Sequence, residues 1–326
     1  MKNLKLFLLL FTGFSMFGQD PSEGLMLHYE FDNSLLDATE NNYDGTLMGP
    51  TFVEDRFGNP NGAISFDGID DYVILPNEGE LKPPLPVSFS FWIRYETDDF
   101  SNNAVFNTSF ENDRSSGVYF NAQMATGNFA VNYGDGTYFF HPSVRRTFVS
   151  TRRIEPFIWL HVVAVVSSAS DMKIYIDCSP YNGDYSGSGG DLVYSDTPGN
   201  LGRRDRDLGV PPLYFKGQLD DFKYYNRALT FDEVQLLCFD LSVPDQVQSD
   251  AGQATLILYP NPVTEVLKLE QKGGVFEQIE VFNVIGQRVY SGPFTQQLYV
   301  GNLPDGMYLV KSRSEQSVST VWFVKH

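Results

Sequence analysis

Two pairs of adjacent aspartates are the residues of this chain best placed to do chemistry. Asp220-Asp221 lies within the run FKGQLDDFKYY, and Asp70-Asp71 lies within the run FDGIDDYV. Both pairs come shortly after a glycine and directly before an aromatic residue. Neighbouring carboxylates can act as a catalytic acid and base, as oxygen ligands for a cation such as Ca²⁺, or as turn residues that accept backbone hydrogen bonds. The secondary structure around each pair sets the directions of its carboxylates and therefore determines which of these chemistries is possible.

The run around Asp220-Asp221 has the pattern of a β-strand, in which successive side chains point to opposite faces. Asp220 then shares a face with Phe222, and Asp221 shares the other face with Lys223, unless a bulge intervenes. We therefore expect the two carboxylates to point away from each other. This expectation argues against a catalytic acid and base at this position.

The earlier pair follows Asp67-Gly68, which has the composition of a tight turn. We predict that Asp70 and Asp71 accept hydrogen bonds from nearby backbone N–H groups. Known catalytic patterns are missing, because the sequence contains neither Glu-x-Asp-x-x-Glu nor Gly-x-Ser-x-Gly. His161 lies in a strand-like run, where we expect it to pack against its neighbours. The sequence predicts no enzyme; an extracellular hydrolase or lyase of polysaccharides is the alternative.

Charge and the first residues indicate an exported protein. The chain has 23 Lys and Arg against 41 Asp and Glu, a net charge of -18, which disfavours nucleic acid as a partner. Lys2 and Lys5 precede an apolar run from Leu6 to Phe17, as in a secretory signal peptide over residues 1–19. We expect a protein that is secreted through the periplasm or held on the outer cell surface, with no transmembrane segment in the mature chain.

Only two cysteines are present, Cys178 and Cys238. Because an exported chain meets an oxidising compartment, we predict a disulfide between them; two buried free thiols are the alternative. A bridge closing a loop of this length, about 60 residues, stabilises a fold by roughly 3–4 kcal/mol. Two Cys and four scattered His do not supply a zinc site of recognisable spacing.

Residues 24–238 consist mostly of short β-prone runs separated by Gly, Asn, Asp and Pro, which predicts one antiparallel sandwich. Only Thr230–Leu237 has a helical pattern, and Thr230 with Glu233 forms a capping box at its start. The predicted strands include Leu25–Phe31, Tyr72–Leu75, Val87–Tyr95, Gly117–Gln123, Asn128–Tyr133, Trp159–Val166 and Lys173–Asp177.

After Phe239, residues 240–254 contain no aromatic residue and are rich in Asp, Gln and Ser, so residues 239–254 predict a linker. After it, residues 255–326 resume the spacing of strands and turns, which predicts a second, small β-sandwich. Its predicted strands are Leu256–Tyr259, Val266–Glu270, Ile279–Asn283, Arg288–Tyr290, Tyr308–Ser312 and Val318–Val324.

Residues 24–238 resemble the laminin-G-like, concanavalin A-like jelly-roll family of bacterial surface proteins. The resemblance rests on seven stretches in family order: LHYEFD from Leu27, DGTL from Asp44, FDGIDDYV from Phe66, FSFWI from Phe89, WLHVVA from Trp159, IYID from Ile174 and LDDFKYYNRALT from Leu219. It implies an all-β antiparallel jelly roll that binds a glycan or an extracellular protein. Cys178 stands where the family usually has a glycine, which supports the predicted bridge.

The surplus of carboxylates also suits a calcium ion, and the resemblance suggests where it would bind. In such folds the first and last strands lie close together, so an early acidic loop would meet the strand of Asp220-Asp221. The predicted structural calcium site therefore combines Asp32, Asp37 and Asp44 with Asp220 or Asp221. The alternative is that these acids accept hydrogen bonds in turns, without a metal.

Basic and aromatic residues supply candidate ligand contacts. Arg203 and Arg204 are candidates to grip an anionic glycan; salt bridges with the surplus acids are the favoured alternative. Aromatic loops are predicted to stack on sugar rings, or else to cap the edge of a sandwich. The aromatic candidates are Tyr138, Phe140, Tyr181 and Tyr185.

Residues 255–326 resemble the C-terminal sorting domain of type IX secretion cargo. The matching stretches are YPNP from Tyr259, VFNVIGQRV from Val281, LPDGMYLV from Leu303 and WFVK from Trp322. The resemblance implies recognition by an outer-membrane translocon, followed by removal through a sortase-like peptidase that cuts in the linker, and an Ig-like sandwich is expected. The predicted sorting-signal residues are Tyr259, Pro260, Asn261, Pro262, Gly286, Gly306 and Tyr308.

Overall fold

A computed structural model gives the structure of the chain, which divides into two compact units, Met1–Cys238 and Phe239–His326. The structure describes residues 21–100, 104–109, 114–124, 126–138, 141–204, 212–238, 255–261, 263–283, 288–304, 306–313 and 318–325. The predicted signal peptide at 1–19 and linker at 239–254 lie outside the described residues.

In its described residues the first unit consists of β-strands with one α-helix, α1 (Phe231–Cys238), and two short 3₁₀ turns. Its strands are β1 (Leu25–Tyr29), β2 (Thr46–Met48), β3 (Thr51–Val53), β4 (Ala63–Asp67), β5 (Tyr72–Ile74), β6 (Val87–Tyr95), β7 (Ala104–Asn107), β8 (Val118–Ala122), β9 (Asn128–Gly134), β10 (Arg145–Arg153), β11 (Leu160–Ser168), β12 (Asp171–Ile176), β13 (Ser179–Tyr181), β14 (Gly183–Ser186), β15 (Asn200–Leu201), β16 (Arg203–Arg204), β17 (Leu213–Tyr214) and β18 (Lys216–Tyr225).

Two eight-stranded sheets form the body of this unit, and their named strands pair antiparallel. Sheet A has the order β13-β12-β11-β6-β18-β4-β3, with β1 also paired to β18. Sheet B has the order β14-β10-β9-β8-β7-β15-β5-β2. Strands β16 and β17 make a separate two-stranded pair. The predicted all-β antiparallel sandwich is confirmed.

The core lies between the two sheets and is rich in aromatic rings, as the alternation of the strands requires. Phe89 of β6 stacks on Tyr224 of β18 with ring centroids 4.3 Å apart, and it also meets Phe106 of sheet B at 4.5 Å. Phe106 in turn stacks on Phe120 at 5.7 Å. These rings join the two sheets into one apolar layer.

Helix α1 begins at the predicted capping box and covers part of the outer face of sheet A. The backbone N–H of Thr230 donates to Glu233 Oε2 at 2.8 Å, and the N–H of Glu233 donates to Thr230 Oγ1 at 3.3 Å. The buried face of the helix packs on the sheet together with Val163, Val165 and Tyr225. The predicted Cys178–Cys238 disulfide is present and fastens the end of the helix to sheet A.

The second unit contains two smaller sheets around one core. Strands β19 (Thr255–Tyr259), β20 (Val266–Lys272) and β23 (Gln297–Tyr299) form a three-stranded sheet in the order β19-β20-β23. The other sheet has the order β22-β21-β24-β25 and contains β21 (Gln278–Asn283), β22 (Arg288–Pro293), β24 (Gly306–Arg313) and β25 (Val318–Lys325). The Ig-like classification of this sandwich stays a prediction. Within the described ranges of both units, no helix has the length and apolar character needed to cross a membrane.

Candidate functional site

A β-bulge in β18 changes the predicted alternation at Asp220-Asp221. Asp220 pairs with Trp92 of β6, but the next pair joins Lys223 to Ser90, so two residues of β18 stand opposite one of β6. Asp221 has a φ of 52°, in the left-handed region that side chains other than glycine rarely occupy. Both carboxylates consequently meet basic side chains on the outer face of sheet A. The expectation that they point to opposite faces is wrong, because the inserted residue shifts the alternation by one.

The two carboxylates belong to a charged cluster, which we define as His28, Arg56, Asp220, Asp221 and Lys223. Asp221 Oδ1 lies 2.5 Å from His28 Nε2, and its Oδ2 accepts a hydrogen bond from Lys223 Nζ at 2.5 Å. Burial alone would raise the pKa of Asp221, but the Lys223 ammonium and the His28 imidazole hold it well below its usual range. Asp221 is therefore a partly buried anion with two basic partners.

Asp220 is held by an arginine from the loop between β3 and β4. The Arg56 guanidinium forms a salt bridge with the Asp220 carboxylate and lies over the Trp92 ring, with Cζ 4.7 Å from the ring centroid. Burial raises the pKa of Asp220 to about 7, against the opposing charge of Arg56. Because Arg56 and Lys223 already neutralise the two carboxylates, this donor set fits protein cations and does not fit an added Ca²⁺.

His161 lies beside this cluster, in register with Trp92. Its Nε2 is 2.9 Å from Ser90 Oγ, and its ring centroid is 5.1 Å from that of Trp92. Burial lowers the pKa of His161 to about 3, so the imidazole is neutral at physiological pH. The predicted packing role is confirmed.

The early acids of the predicted calcium site have separate surroundings. Asp37 accepts hydrogen bonds from the backbone N–H groups of His28, Thr39 and Tyr43, all at 3.0 Å. Asp44 Oδ1 accepts from the N–H of Asp37 at 2.9 Å, and Asp32 is exposed. Asp37 and Asp44 thus organise a turn, and the five predicted ligands do not form one group of close carboxylates.

Among the residues that the structure describes, the acids that do form such a group are Asp67, Asp70 and Asp71, whose oxygens lie within 4.8 Å of one another. The N–H of Asp67 donates to Asp71 Oδ2 at 2.9 Å, and the N–H of Ile69 donates to Asp67 Oδ1 at 2.7 Å. The predicted turn chemistry is present for Asp71. Burial, with the charges of Asp67 and Asp70, raises the pKa of Asp71. The closeness of the three carboxylates means that this group could hold a metal ion.

A row of uncharged polar side chains crosses the outer face of sheet B. Its members occupy directly paired positions on six neighbouring strands: Asn200, Asn107, Tyr119, Asn132, Thr147 and Ser186. We call it the polar row. The adjacent row of paired residues points into the core, and it consists of Leu201, Phe106, Phe120, Val131 and Phe148. Strand alternation thus separates a polar face from an apolar face.

Side-chain hydrogen bonds connect one half of the polar row. Thr147 Oγ1 donates to Asn132 Oδ1 at 2.7 Å, and Asn132 Nδ2 donates to Asn121 Oδ1 of the neighbouring row at 2.8 Å. Asn121 Nδ2 donates in turn to the Ala122 carbonyl at 2.9 Å. This ladder fixes the side chains on three strands.

The other half of the row keeps unused polar atoms. Asn107 Nδ2 donates to the Arg203 carbonyl at 2.8 Å, but Asn107 Oδ1 and Tyr119 Oη are buried without a hydrogen-bond partner in the described part of the chain. Two predicted ligand residues lie here: the Arg203 Cζ is 4.8 Å from the Tyr72 ring centroid, and the Arg204 Cζ is 4.7 Å from that of Tyr119. The structure brings Arg203 and Arg204 to the polar row.

Two further predicted ligand residues lie on other strands, where their hydroxyls serve the fold. Tyr181 Oη on β13 accepts from Arg152, which also forms an ion pair with Asp177. Tyr185 Oη on β14 accepts from the N–H of Met172 at 2.8 Å and donates to its carbonyl at 3.0 Å. Tyr185 thereby joins an edge strand of sheet B to β12 of sheet A.

Tyr138 is 54% exposed and lies under the Arg114 guanidinium, whose Cζ is 4.2 Å from the ring centroid; Phe140 lies outside the described residues. The sequence reasoning missed the amides of the polar row. A signal was present, because Asn121 and Asn132 alternate with apolar residues inside predicted strands. Such alternation marks an outward face, but it does not pair the strands.

Part of the sorting signal holds the second unit together. The Asn261 side chain donates to the Trp322 carbonyl at 3.1 Å, and the Tyr308 hydroxyl donates to the Pro304 carbonyl at 2.8 Å. Gly306 has a φ of 150° at the start of β24, as a permissive glycine allows.

The remaining signal residues have other positions. Tyr259 ends β19 with 43% of its surface exposed, and Pro260 follows it through a cis peptide bond. Pro262 and Gly286 lie outside the described residues.

Comparison with protein families gives two matches. Residues 67–235 match the family described as the concanavalin A-like lectin/glucanases superfamily. Residues 257–326 match the secretion system C-terminal sorting domain. The search of curated proteins returned no match.

Solved structures give matches of low sequence identity. The binding domain of botulinum neurotoxin DC in complex with rat synaptotagmin II is 12% identical, with 92% of this chain and 73% of that chain covered and a TM-score of 0.52. A structure of botulinum neurotoxin type C, whose cell entry depends on interaction with two ganglioside molecules, is 14% identical and has a TM-score of 0.51. The match covers 91% of this chain and 72% of that chain. Domain 4 of a GH43 extracellular arabinanase from Geobacillus stearothermophilus, solved with arabinotriose, is 21% identical, with coverages of 66% and 98% and a TM-score of 0.49.

Proposed function

Because the chain belongs to the concanavalin A-like lectin/glucanases superfamily and ends in a type IX secretion sorting domain, we propose that it binds a glycan outside the cell, at the polar row of sheet B. The sorting domain implies that the protein is secreted or displayed on the outer cell surface. In the same proposal, a sortase-like peptidase removes this domain by cutting between the two units.

The observation that carries the proposal is that two buried oxygens, Tyr119 Oη and Asn107 Oδ1, have no hydrogen-bond partner within the described ranges. A buried polar atom without a partner is unfavourable, and native structures rarely retain one without a reason. A sugar hydroxyl both donates and accepts, so one ring would satisfy the Asn107 carbonyl and the Tyr119 hydroxyl. The neighbouring Arg203 and Arg204 add donors for ring oxygens or for a carboxylate.

Access to the polar row depends on the β16–β17 pair. Asn107 and Tyr119 are each 4% exposed, because the Arg203 backbone and the Arg204 guanidinium lie against them. A glycan therefore reaches these two residues when Arg204 leaves the Tyr119 ring. The sugar face then replaces the guanidinium on the aromatic ring, a common mode of carbohydrate stacking.

The related neurotoxin domains support this reading only through their fold. One member of the fold engages gangliosides, which carry sugar head groups, and another was solved with a protein ligand. At 12–14% identity, these ligands do not transfer to specific residues of this chain. An extracellular protein is therefore the second candidate ligand.

Binding is favoured over catalysis, although the same fold serves lectins and glycosidases. Asp220 and Asp221 share one face, as a catalytic pair would, but each carboxylate is held by basic side chains of the protein. A general acid or base must reach its substrate, and neither carboxylate is released in this arrangement. A polysaccharide hydrolase or lyase remains the alternative function.

The test begins with the purified full chain on a glycan array, followed by calorimetry with the glycan that binds best. Tyr119→Phe is expected to weaken binding about tenfold, because one hydrogen bond contributes roughly 0.5–1.5 kcal/mol. The matched control is Tyr95→Phe, which also removes a buried hydroxyl without a partner, but from the interior of the sandwich.

An array without any binding, or equal affinities for wild type and Tyr119→Phe, contradicts the proposal. Release of reducing ends from the bound polysaccharide would promote the enzyme alternative instead. Binding that depends on an immobilised protein and on no glycan would promote the second candidate ligand.

We also propose that the turn of Asp67, Asp70 and Asp71 binds Ca²⁺, because a cation would relieve the mutual repulsion of the three carboxylates. The site predicted from the sequence, which includes Asp32, is tested in the same experiment. If the turn binds Ca²⁺, the melting temperature of the full chain rises with calcium, and Asp70→Asn abolishes the rise whereas Asp32→Asn does not. The reverse pattern would support the site predicted from the sequence, and no rise in wild type would remove calcium from both places.

A further inference from the structure

The three-stranded sheet of the sorting domain presents an outer face with exposed apolar side chains. Tyr259, Lys268 and Gln297 are directly paired across its three strands, and Val266 is paired with Tyr299. Tyr299 is 60% exposed, Tyr259 43% and Val266 37%. Large side chains at such exposure, grouped on one sheet face, mark a site for a partner rather than scattered surface residues.

A cavity of about 660 Å³ opens on this face. Tyr259 forms one wall, β20 contributes Lys268 and Glu270, and the loops after β20 and before β23 contribute Val275 and Gln296. Amide, charged and apolar groups thus line one concave surface. This composition suits an extended peptide, whose backbone would meet the amides while one side chain enters between Tyr259 and Val275.

The sorting-signal residues divide into two kinds. Asn261 and Tyr308 use their polar groups for hydrogen bonds within the domain, to the carbonyls of Trp322 and Pro304. Tyr259 is exposed and lines the cavity instead. Within the described part of the signal, Tyr259 is therefore the side chain most available to a partner.

The outer face of the four-stranded sheet has a different character. Glu280 lies 2.7 Å from Arg288 and 3.9 Å from Arg313, so its charges are paired within the face. This face thus presents charges that are paired with each other, whereas the three-stranded sheet presents exposed apolar side chains.

We propose that the outer face of β19, β20 and β23, centred on Tyr259, Val266 and Tyr299, is the surface through which a protein of the secretion machinery recognises this domain. The family match supplies the class of partner, and the cavity supplies the peptide chemistry. The place of the three-stranded sheet in the sequence supports this face over that of the four-stranded sheet, because β19 starts at Thr255, directly after residues 239–254. A partner on β19 would lie next to the segment where the peptidase is expected to cut. The inference is independent of the proposed glycan binding.

The experiment uses the full chain in a bacterium that carries the type IX system. The test variant is Val266→Ser with Tyr299→Ser, and the matched control is Arg288→Ser with Arg313→Ser on the other sheet. The test variant is expected to lower the amount of chain in the medium and on the cell surface about tenfold, with accumulation in the periplasm, as loss of an aromatic anchor would cause. The control is expected to stay within twofold of wild type.

Two further measurements separate recognition from folding. Purified test and control chains are compared by melting temperature, and a photo-crosslinker is placed at position 299 or position 288 of an otherwise wild-type chain. Crosslinking to an identified component of the secretion machinery from position 299, and not from 288, supports the proposal. Normal export of the test variant, equal blockage by the control, or crosslinks from position 288 alone would overturn it. Glycan binding by the same variants is expected to be unchanged, so failure of one proposal does not imply failure of the other.

Discussion

The outer faces of the two jelly-roll sheets bury polar groups in opposite ways. Sheet A carries the charged cluster, in which Asp220 contacts Arg56 and Asp221 contacts both His28 and Lys223. Sheet B carries the polar row, which is uncharged and leaves oxygens of two side chains without partners among the residues that the structure describes. A buried ion that loses its partner is strongly destabilising, whereas a neutral oxygen that already lacks one has little left to lose.

This difference separates a structural face from a candidate binding face. Substitutions in the charged cluster should act on stability, and substitutions at the unpartnered half of the polar row should act on ligand binding. Variants on both faces test this division through their stability, and the largest effect is expected in the charged cluster.

Arg56→Ala is expected to cause the largest loss, about 3–5 kcal/mol in the free energy of unfolding, because it leaves the buried Asp220 carboxylate unpaired. Urea denaturation of the full chain at constant pH measures the loss. The double variant Arg56→Leu, Asp220→Leu is expected to recover much of it, since both charges are then absent. Lys173→Ala is the control, because its pair with Asp171 is more than half exposed, and its expected loss is below about 1 kcal/mol. Similar losses in Arg56→Ala and Lys173→Ala would show that the cluster is not a structural ion network.

His161 provides a pH-dependent test of the same face. Its folded pKa of about 3 lies below the value of 6.5 for an accessible histidine, so the unfolded chain takes up the proton first as the pH falls. His161 therefore stabilises the fold above pH 6.5, and this contribution is lost as the pH falls toward 3. Between pH 7 and pH 5 the expected loss is about 2 kcal/mol.

Asp220 acts with the opposite sign, because burial raises its pKa and protonation favours the folded state as the pH falls through about 7. The pH dependence of wild type alone is therefore ambiguous. The measurement is the difference between wild type and His161→Asn in unfolding free energy at pH 7 and at pH 5. Wild type is expected to lose more stability on acidification than the variant; identical pH dependence would mean that His161 is not a buried neutral imidazole.

The strands, the helix cap and the disulfide could be predicted because each depends on local patterns. The capping box needs only Thr230 and Glu233, three residues apart, and both predicted hydrogen bonds are present. The Cys178–Cys238 bridge joins the only two cysteines of the chain. In these cases the sequence left few alternatives.

The candidate site could not be predicted because it depends on register. The bulge at Asp221 adds one residue to a strand that otherwise alternates regularly, and the local sequence does not predict it. Arg56 reaches Asp220 across 164 residues of chain. The polar row likewise requires the pairing of Asn107, Tyr119 and Asn132 on three strands, which a single sequence does not specify.

Tyr119→Phe is expected to have the smallest effect on stability, within about 0.5 kcal/mol of wild type, because the hydroxyl that it removes has no partner to lose. Thr147→Val is the comparison within the same row. It removes a hydroxyl that donates to Asn132 Oδ1 at 2.7 Å, and it is expected to cost about 1 kcal/mol or more. Urea denaturation of both variants beside wild type measures the two changes. If Tyr119→Phe cost as much as Thr147→Val, the Tyr119 hydroxyl would have a bound partner in the free protein, and it would no longer be open to a sugar.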